Sequence, residues 1–188
     1  MIETPRVTLR RARRSDLPLL FAWRQNAEVV RWLPSFTPVT WEQHVAWWRA
    51  RHNRTDYMVL LWSGNQARPV GTVHALDLDH TPEVGIVLGD TSAWGKGVGK
   101  LALALLLLRP EVRRCNEWVY ALIHPDNVAS QHVFVANGFR KVTFERDGVV
   151  TSGGRNGQWI YQWRRFGRIE VTGVPGHVVH LPATGEAM

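Results

Sequence analysis

Three glycines at alternate positions are the residues best suited to chemistry, in the stretch Trp94-Gly-Lys-Gly-Val-Gly-Lys100. A short β-branched run, 83–88, precedes them, and a strongly helix-forming run, 101–108, follows and stops before Pro110. Glycine lets backbone N–H groups approach a ligand closely, and the N-terminus of a helix carries partial positive charge. The spacing therefore predicts a strand, a turn able to hold a pyrophosphate, and a helix.

Two common phosphate-binding loops do not fit this stretch. A P-loop ending at Gly99-Lys100 would need glycine in place of Trp94 and Ser or Thr in place of Leu101. A dinucleotide fingerprint beginning at Gly95 would need a third glycine in place of Lys100. The alternatives are a phosphate loop of another type and a glycine turn with a purely structural role.

A second motif decides between these alternatives. It is Asn127-Val-Ala-Ser130-Gln-His-Val-Phe134-Val-Ala-Asn-Gly138-Phe139. Together the two motifs resemble those of the GNAT acetyltransferase superfamily. In that superfamily a (Gln/Arg)-x-x-Gly-x-(Gly/Ala) loop after the fourth strand, and an Asn-x-x-(Ser/Ala) helix ending in Gly-Phe, bind acetyl-CoA. The resemblance implies an enzyme that uses acetyl-CoA.

A tryptophan occupies the position where the loop of the superfamily has Gln or Arg. Trp94 stands in the string Leu88-Gly-Asp-Thr-Ser-Ala-Trp-Gly-Lys-Gly-Val-Gly99, which most resembles the branch that includes ribosomal-protein N-terminal, spermidine and amino-sugar acetyltransferases. The resemblance covers residues 5 to 165 of this sequence. The resemblance indicates acetyl-CoA specifically but says almost nothing about the acceptor.

The resemblance also implies the fold. An α/β fold of the mixed α+β class is expected, the GNAT fold. Its central sheet is mostly antiparallel and twisted, with splayed parallel strands in the middle, and roughly four helices flank it. We expect residues 1–166 to form this domain. Residues 167–188 are expected to form an irregular or partly disordered tail, with at most a short strand at 169–171.

Local patterns predict the elements in the same order. Ser15 is predicted to cap a helix with Pro18 in its first turn, and Thr40 to open a second helix through a capping box with Gln43. Asn137-Gly138 is typical of a helix end. The second helix is predicted to end near residue 52, further helices to span 98–109 and 127–136, and strands to span 6–11, 57–62, 69–76, 83–88, 118–123, 140–146 and 158–163.

The cofactor contacts follow from the resemblance, residue by residue. The pantetheine is expected beside the backbone that precedes the turn, the diphosphate on the glycine turn with its lysines, and the cofactor arm on the asparagine of the second motif. The expected contacts are Ile86, Val87, Leu88, Trp94, Gly95, Lys96, Gly97, Val98, Gly99, Lys100, Asn127, Ser130 and Phe134. The co-substrate is acetyl-CoA. No metal is expected, because the chain has no His-Glu-x-x-His pattern and a single cysteine.

The chemistry of acyl transfer ranks the groups that the site needs. A thioester reacts with a neutral amine. Removing the proton from a lysine-like amine of pKa about 10.4 at neutral pH costs about 4 to 5 kcal/mol. The leaving thiol requires only about 2 kcal/mol. Many relatives place a tyrosine at position 134 to protonate the departing sulfur, but Phe134 cannot donate a proton. Ser130, one helical turn earlier, or a bound water is expected to substitute. The alternative is that Ser130 only caps or packs.

Two residues are candidates for the general base. Glu83 opens the strand whose far end is expected to meet the thioester, where relatives often carry a carboxylate that acts through water. His74, in the preceding strand, is the second candidate. The alternatives are a solvated glutamate at a strand edge and a histidine that only packs. Both alternatives stay open at the level of sequence.

Tryptophan is in excess, with ten in 188 residues, and five of them lie between residues 23 and 48. The resemblance makes this region the wall of the acceptor site, where aromatic rings suit a sugar, a base or a cationic amine. Packing in the core is the favoured explanation for most of them. Trp32 and Phe36, in or beside the loop 33–38, are predicted to contact the acceptor together with Glu83.

Composition sets the class of protein. The net charge of +7 and the pI near 10.5 fit a surface that attracts polyanionic acetyl-CoA, and they leave nucleic acid open as a less favoured partner. A single cysteine, Cys115, fits a reducing compartment, and no apolar run approaches the roughly twenty residues of a membrane span. We therefore expect a cytoplasmic protein with no export signal and no membrane partner.

Three functions compete at this stage. The favoured one is an N-acetyltransferase that transfers acetyl from acetyl-CoA to a primary amine by direct attack in a ternary complex. The acceptor is a protein N-terminus, an amino sugar or another small amine, and the resemblance allows a homodimer. The alternatives are a non-catalytic acyl-CoA-binding or sensor module, which Phe134 and Trp94 favour, and a basic RNA- or ribosome-associated protein, which the arginines near the N-terminus favour.

Overall fold

The structure is a computed structural model that describes residues 5–33, 37–114, 118–146, 149–152, 154–155, 158–164 and 178–180. Its contacts divide the chain into two units, residues 1–116 and 117–188. The first unit contains the glycine turn and the second contains the Asn127 motif.

Four antiparallel strands, each paired with the next along the chain, form the sheet of the first unit. They are β1 (Val7–Arg11), β2 (Arg54–Ser63), β3 (Gln66–Leu76) and β4 (Glu83–Val87). Valine is the commonest residue in these strands, and valine and threonine favour extended backbone. The register aligns Asp56 of β2 with His74 of β3, and His74 with Gly85 of β4. These three residues therefore share one face of the sheet.

Helices connect and cover these strands. After a short 3-10 turn, Arg14–Asp16, come α1 (Leu17–Gln25), α2 (Ala27–Val30) and α3 (Trp41–Arg49). A second 3-10 turn, Thr91–Ala93, precedes α4 (Val98–Leu107) and α5 (Pro110–Arg114). The predicted capping box of α3 is confirmed, since Thr40 Oγ1 accepts the Gln43 N–H at 3.3 Å and Gln43 Oε1 accepts the Thr40 N–H at 2.8 Å.

The core of the first unit lies between α4 and one face of its sheet. Buried positions recur every three or four residues along α4, at Val98, Gly99, Ala102, Leu103, Leu106 and Leu107. They pack on β1, β3 and β4. The sheet contributes side chains that are at most 1% exposed, at Val59, Val73, Ala75 and Val84. The opposite face of the sheet, which carries Asp56 and His74, is half-buried.

A β-bulge interrupts the pairing of β2 with β3. Val59 pairs with Gly71 while Leu60 pairs with Pro69, so Val70 is the extra residue. Its carbonyl accepts the N–H of Asp90 at 3.0 Å. Because Asp90 lies three residues after the end of β4, this bond holds the chain near the start of the segment that leads to the glycine turn.

The main sheet of the second unit is antiparallel and is built around one central strand. The described elements of this unit are β5 (Trp118–Ile123), α6 (Val128–Val135), β6 (Arg140–Lys141), β7 (Thr143–Arg146), β8 (Val149–Ser152), β9 (Gly154–Arg155), β10 (Gln158–Arg164) and β11 (Val178–His180). Strand β10 pairs with β5 and β6, and also with β9. Strand β7 pairs with β8 and β11 in a separate small sheet.

The end of α6 is a Schellman motif. Gly138 has φ +86° and donates its N–H to the carbonyl of Val135, while Phe139 donates to the carbonyl of Phe134. The rings of Phe134 and Phe139 meet edge to face, with centroids 4.9 Å apart, as the hydrophobic contact of this motif requires. The helix end predicted from Asn137-Gly138 is therefore confirmed.

Several local predictions are corrected by the structure. Ser15 lies inside the 3-10 turn and does not cap α1, because Asp16 accepts the Arg13 N–H at 2.7 Å and is held by the guanidinium of Arg10. Helix α3 ends at Arg49 instead of near residue 52, and the helix predicted over 98–109 ends at Leu107. The strand predicted over 140–146 is divided into β6 and β7, which pair with different strands.

The shortest elements escaped the sequence analysis. Helices α2 and α5 have four and five residues, too few for a periodic pattern to be recognised. The same holds for β8, β9 and β11. The strand predicted at 169–171 lies outside the described residues, and so does the rest of the predicted tail apart from β11. The predicted boundary at residue 166 stays a prediction.

Candidate functional site

The glycine turn adopts the backbone that its sequence predicted. Gly95 and Gly97 have φ of +71° and +75°, in the left-handed region that favours glycine, and Gly97 is the N-cap of α4. A Cβ built on either glycine would meet nothing within 4 Å, and residues 94–97 are exposed. The first backbone N–H groups of a helix have no partner within the helix. The turn therefore offers donors at an open helix N-terminus, an arrangement that suits an anion.

Polar contacts hold the chain between β4 and this turn. Asp90 caps the 3-10 turn by accepting the Ser92 N–H at 2.9 Å. Arg68, on β3, binds the Asp90 carboxylate with one guanidinium nitrogen and the Ser92 hydroxyl with the other, the latter at 3.1 Å. Together with the bond from Asp90 to Val70, these contacts connect the turn to the sheet at several points.

Trp94 makes a contact that the sequence did not indicate. Its indole N–H donates to the carbonyl of Leu88 at 2.9 Å, and its backbone N–H donates to Thr91 at 3.0 Å. The side chain is 36% exposed. The residue that replaces the usual Gln or Arg thus binds the end of β4 across the base of the loop.

Two aromatic side chains lie directly on the backbone around β4. A Cβ at Gly85 would fall 2.5 Å from Nε2 of His74, so the imidazole lies across the backbone of β4 at this position. A Cβ at Gly89 would overlap the indole ring of Trp23, from α1. Glycine is therefore required at both positions by close packing. This role of the glycines flanking 86–88 was missed, although the pattern Gly85-Ile-Val-Leu-Gly89 was visible in the sequence.

His74 belongs to a line of side chains on the half-buried face of the sheet. Asp56 stands opposite it on β2 and Gly85 opposite it on β4. Glu83 is two residues from Gly85 on the same face, diagonal to His74, a separation that long side chains can span. The two predicted base candidates therefore share one face of one sheet.

Electrostatics keep His74 neutral. The pKa of its imidazole is lowered from 6.5 to about 4, first by burial and then by the guanidinium of Arg54, while the carboxylate of Asp56 acts in the opposite direction. Asp56 is itself held by two guanidinium groups, from Arg51 at 3.0 Å and from Arg54 at 2.5 Å. The ion pair of Arg54 and Asp56 thus lies beside an uncharged histidine at neutral pH.

Aromatic rings form a continuous series over α1 and α3. Phe21 meets Trp41 edge to face at 5.4 Å, and His44 stacks on Trp47 at 5.4 Å. Trp41 and Trp47 are 40% and 42% exposed, so they are not core residues. His44 is 7% exposed, and burial lowers the pKa of its imidazole. Core packing, favoured for most of these tryptophans, does not describe Trp41 and Trp47.

The predicted acceptor contacts are placed in part. Trp32 follows α2 and is half-buried, and the guanidinium of Arg31 lies 4.6 Å from its ring centroid. Phe36 lies outside the described residues. Both assignments stay predictions.

The second unit carries the Asn127 motif. Asn127 is the N-cap of α6, and its Oδ1 accepts the N–H of Ser130 at 3.1 Å. Phe134 is 2% exposed and packs on Phe139 in the core of this unit. The Asn-x-x-Ser spacing therefore has a structural explanation as a helix cap. The predicted roles of Asn127, Ser130 and Phe134 toward the cofactor stay predictions.

The described ranges contain neither a metal cluster nor a helix that could span a membrane. Within them, no three histidine, cysteine, aspartate or glutamate side chains come together as a metal would require. Among those same residues, no helix combines the length and the apolar character needed to pass through a bilayer.

Comparison with known proteins establishes the family. The model of the Acetyltransferase (GNAT) domain family matches residues 6–140, which is more than half of the chain. This chain belongs to the GNAT acetyltransferase family. The predicted superfamily is thereby confirmed, and the family's activity is the predicted enzyme class, an acetyl-CoA-dependent N-acetyltransferase. The predicted branch stays a prediction.

An archaeal relative and a solved archaeal domain are similar to this GNAT chain over most of its length. The protein MJ1062 of Methanocaldococcus jannaschii is 32% identical over 170 residues, 85% of this chain and 31% of that protein. The chain thus spans about a third of the curated relative that it matches. A crystal structure of a domain from Methanocaldococcus jannaschii has a TM-score of 0.75 at 32% identity, covering 85% of this chain and 99% of that domain. The predicted mixed α+β GNAT fold is confirmed.

Two acetyltransferases solved with coenzyme A share the fold at lower identity. Aminoglycoside acetyltransferase AAC(6')-Ib has a TM-score of 0.64 at 18% identity, covering 85% of this chain and 95% of that chain. Spermidine N-acetyltransferase from Vibrio cholerae, solved with coenzyme A and spermine, has a TM-score of 0.64 at 16% identity, covering 83% and 92%. At such identity they are evidence for the GNAT fold alone.

Proposed function

We propose that this chain transfers an acetyl group from acetyl-CoA to a primary amine by direct attack within a ternary complex. The observation that carries the proposal is the glycine turn. Gly95 and Gly97 are left-handed, open on their Cβ side and placed at the N-terminus of α4 immediately after β4. In a GNAT domain this is the part that grips the diphosphate of coenzyme A.

The residues present fit that diphosphate. Backbone N–H groups at the start of α4 donate to its oxygens, and exposed Lys96 adds a positive charge beside them. Lys100, in the first turn of α4, is the second predicted lysine. The pantetheine is proposed to lie beside the backbone of 86–88, as the family resemblance implies.

The half-buried face of the sheet supports amine chemistry. The neutral amine nitrogen forms a bond to the thioester carbonyl carbon and then releases its extra proton to water, the bond from that carbon to sulfur breaks, and the sulfur takes up a proton. The amine first loses a proton, and we assign its removal to Glu83, acting through water. His74 is a weak proton acceptor because its pKa is about 4. Its uncharged ring is suited to hydrogen-bond the amine or the water. Ser130 or a water stays the proposed proton donor to sulfur.

The acceptor is proposed to be a primary amine on a protein N-terminus, an amino sugar or another small molecule. It would approach the face that carries Glu83 and His74, beside the exposed rings of α3. Trp32 and Phe36 are the proposed acceptor contacts outside this face.

Two measurements test the proposal. Calorimetry of the purified chain with coenzyme A measures cofactor binding, and a thiol-release assay with acetyl-CoA and a panel of amines measures transfer. We expect binding, and thiol release with at least one amine, whose product gains the mass of an acetyl group. Absence of binding would overturn the proposal. Binding without thiol release for any amine would support the non-catalytic acyl-CoA-binding module.

The base assignment has its own test. Glu83→Gln is expected to lower kcat by about a hundredfold or more, the scale of general base catalysis, and to remove the limb of the pH–rate profile that the base controls. His74→Asn is expected to lower kcat less and to leave that limb in place. An unchanged pH–rate profile in Glu83→Gln would assign the base to another residue.

A further inference from the structure

We propose that Trp94 is a positioning residue for the cofactor, which acts by tying the glycine turn to the end of β4 and makes no contact with the diphosphate itself. The inference rests on the proposed function only in taking the turn to be the site of the diphosphate. The tie itself is a property of the chain without ligand.

Both hydrogen-bond donors of Trp94 are directed at its own loop. The indole ring has one N–H and no acceptor, and that N–H is bound to the Leu88 carbonyl at 2.9 Å. The backbone N–H is bound to the Thr91 carbonyl at 3.0 Å. Trp94 therefore cannot donate a hydrogen bond to an anion on the turn unless one of these two bonds breaks.

The bond to Leu88 closes the segment that immediately precedes Gly95. The two left-handed glycines have nothing within 4 Å on their Cβ side, so no neighbouring side chain holds them from that direction. Their order must then come from the anchors at each end of the loop. One end is held by Arg68 through Asp90 and Ser92. Trp94 holds that same end next to Gly95, and the other end is held by the helix that begins at Val98.

Glycine loses more conformational freedom on ordering than any other residue. A turn that is ordered before the ligand arrives avoids that cost during binding, and affinity rises accordingly. The usual residues at position 94, Gln and Arg, share one feature with tryptophan: each has a side-chain N–H donor. We infer that the donor to the end of β4 is what this position requires. The aromatic ring meets the requirement here.

The test uses two variants of Trp94. Trp94→Phe keeps a ring and removes the donor, and Trp94→Gln restores a donor without the ring. In Trp94→Phe we expect the Kd for coenzyme A to rise about fivefold, the loss of one hydrogen bond, while kcat at saturating acetyl-CoA changes by less than about twofold. Trp94→Gln is expected to recover most of that affinity. Because Trp94 is 36% exposed, neither change removes a core side chain.

Hydrogen exchange of the free protein is the decisive readout, because it needs neither ligand nor turnover. In Trp94→Phe the amides of residues 95–99 are expected to exchange faster than in the wild type, and in Trp94→Gln to exchange at close to the wild-type rate. Trp62→Phe is the matched control, since the indole N–H of Trp62 makes a hydrogen bond of the same 2.9 Å length to Thr8 on β1. It should change neither the exchange of residues 95–99 nor the affinity for coenzyme A.

Several outcomes would overturn the inference. Unchanged exchange and unchanged Kd in Trp94→Phe would show that the tie does not order the turn. A fall in kcat with an unchanged Kd would show that Trp94 acts on the reacting atoms instead. If the wild type fails to bind coenzyme A, the proposed function falls, whereas the exchange comparison still tests the tie.

Discussion

Glycine is needed in this chain for two different structural reasons. Gly95 and Gly97 are needed for their backbone angles, whereas Gly85 and Gly89 are needed because His74 and a tryptophan ring lie against them. The first role could be predicted, since a glycine-rich turn before a helix has a known geometry. The second could not be predicted, because it depends on which side chain a neighbouring strand or helix brings to that point.

The left-handed backbone of the glycine turn can be tested by substitution, with a left-handed glycine elsewhere in the chain as the control. Gly97→Ala is expected to destabilise the chain by about 1 to 2 kcal/mol, the cost of a left-handed conformation with a Cβ, and also to weaken coenzyme A binding. Gly64→Ala is the matched control. Gly64 has φ +55° and nothing within 4 Å of its Cβ position, but it lies in the turn between β2 and β3.

Denaturant unfolding and calorimetry separate the two effects. Both variants should lose comparable free energy of unfolding, and Gly97→Ala alone should lose affinity for coenzyme A. Equal affinity in the two variants would mean that the turn does not bind the diphosphate through its backbone.

His74 makes a prediction about the pH dependence of stability. Its pKa is about 4 in the folded chain and near 6.5 when unfolded, so between these values the unfolded state binds a proton that the folded state does not. The contribution of the neutral imidazole to the free energy of unfolding is therefore fully present above pH 6.5, and it is lost as the pH falls toward 4. The slope is at most about 1.4 kcal/mol per pH unit for this one proton.

Denaturant unfolding between pH 7 and 4 is the measurement for His74. His74→Gln should flatten the decline relative to the wild type, whereas His132→Gln, at an exposed position of α6, should keep it. Arg54 and Asp56 face His74 and are unchanged in both variants. If His74→Gln declines as steeply as the wild type, the imidazole is not the group that resists protonation.

At the scale of elements, the local signals were reliable where the hydrogen bond stays within one turn. The capping box at Thr40 and the helix end at Gly138 are both present, because each joins residues within about one helical turn of each other. The predicted cap at Ser15 is wrong. Arg10 reaches from β1 to bind Asp16, and this contact between elements shapes the start of α1.

The cap of α3 can be tested directly. Thr40→Ala removes the oxygen that accepts the Gln43 N–H and is expected to cost about 1 kcal/mol of unfolding free energy. Thr40→Ser keeps that oxygen and is expected to stay close to the wild type. Thermal unfolding of the three proteins gives the comparison, and equal losses in both variants would attribute the effect to the missing methyl group.

At the scale of the whole molecule, family membership and charge agree on a polyanionic ligand. The chain carries a net charge of +7 and belongs to a family of acetyl-CoA-dependent enzymes. A ligand that binds only the folded chain raises its unfolding free energy, by about 2.7 kcal/mol at a hundred times Kd. Thermal unfolding can therefore report on the cofactor without any knowledge of the acceptor.

Pantetheine provides the comparison ligand for that experiment, because it lacks the diphosphate that the glycine turn is proposed to grip, together with the 3'-phosphoadenosine. Coenzyme A is expected to raise Tm in proportion to the logarithm of its concentration, and pantetheine at the same concentrations to raise it far less. Equal Tm shifts from the two ligands would show that contacts between the turn and the diphosphate do not contribute to binding.

The sequence by itself determined the superfamily, the glycine turn and the helix caps at Thr40 and Gly138. Each is a matter of backbone conformation or of hydrogen bonds between near neighbours, which residue type and spacing control. Tertiary structure alone decided the line from Asp56 through His74 to Gly85 and the bulge whose extra carbonyl, at Val70, holds Asp90. These depend on strand register, and register is set by how whole faces of the sheet pack, which no short pattern contains.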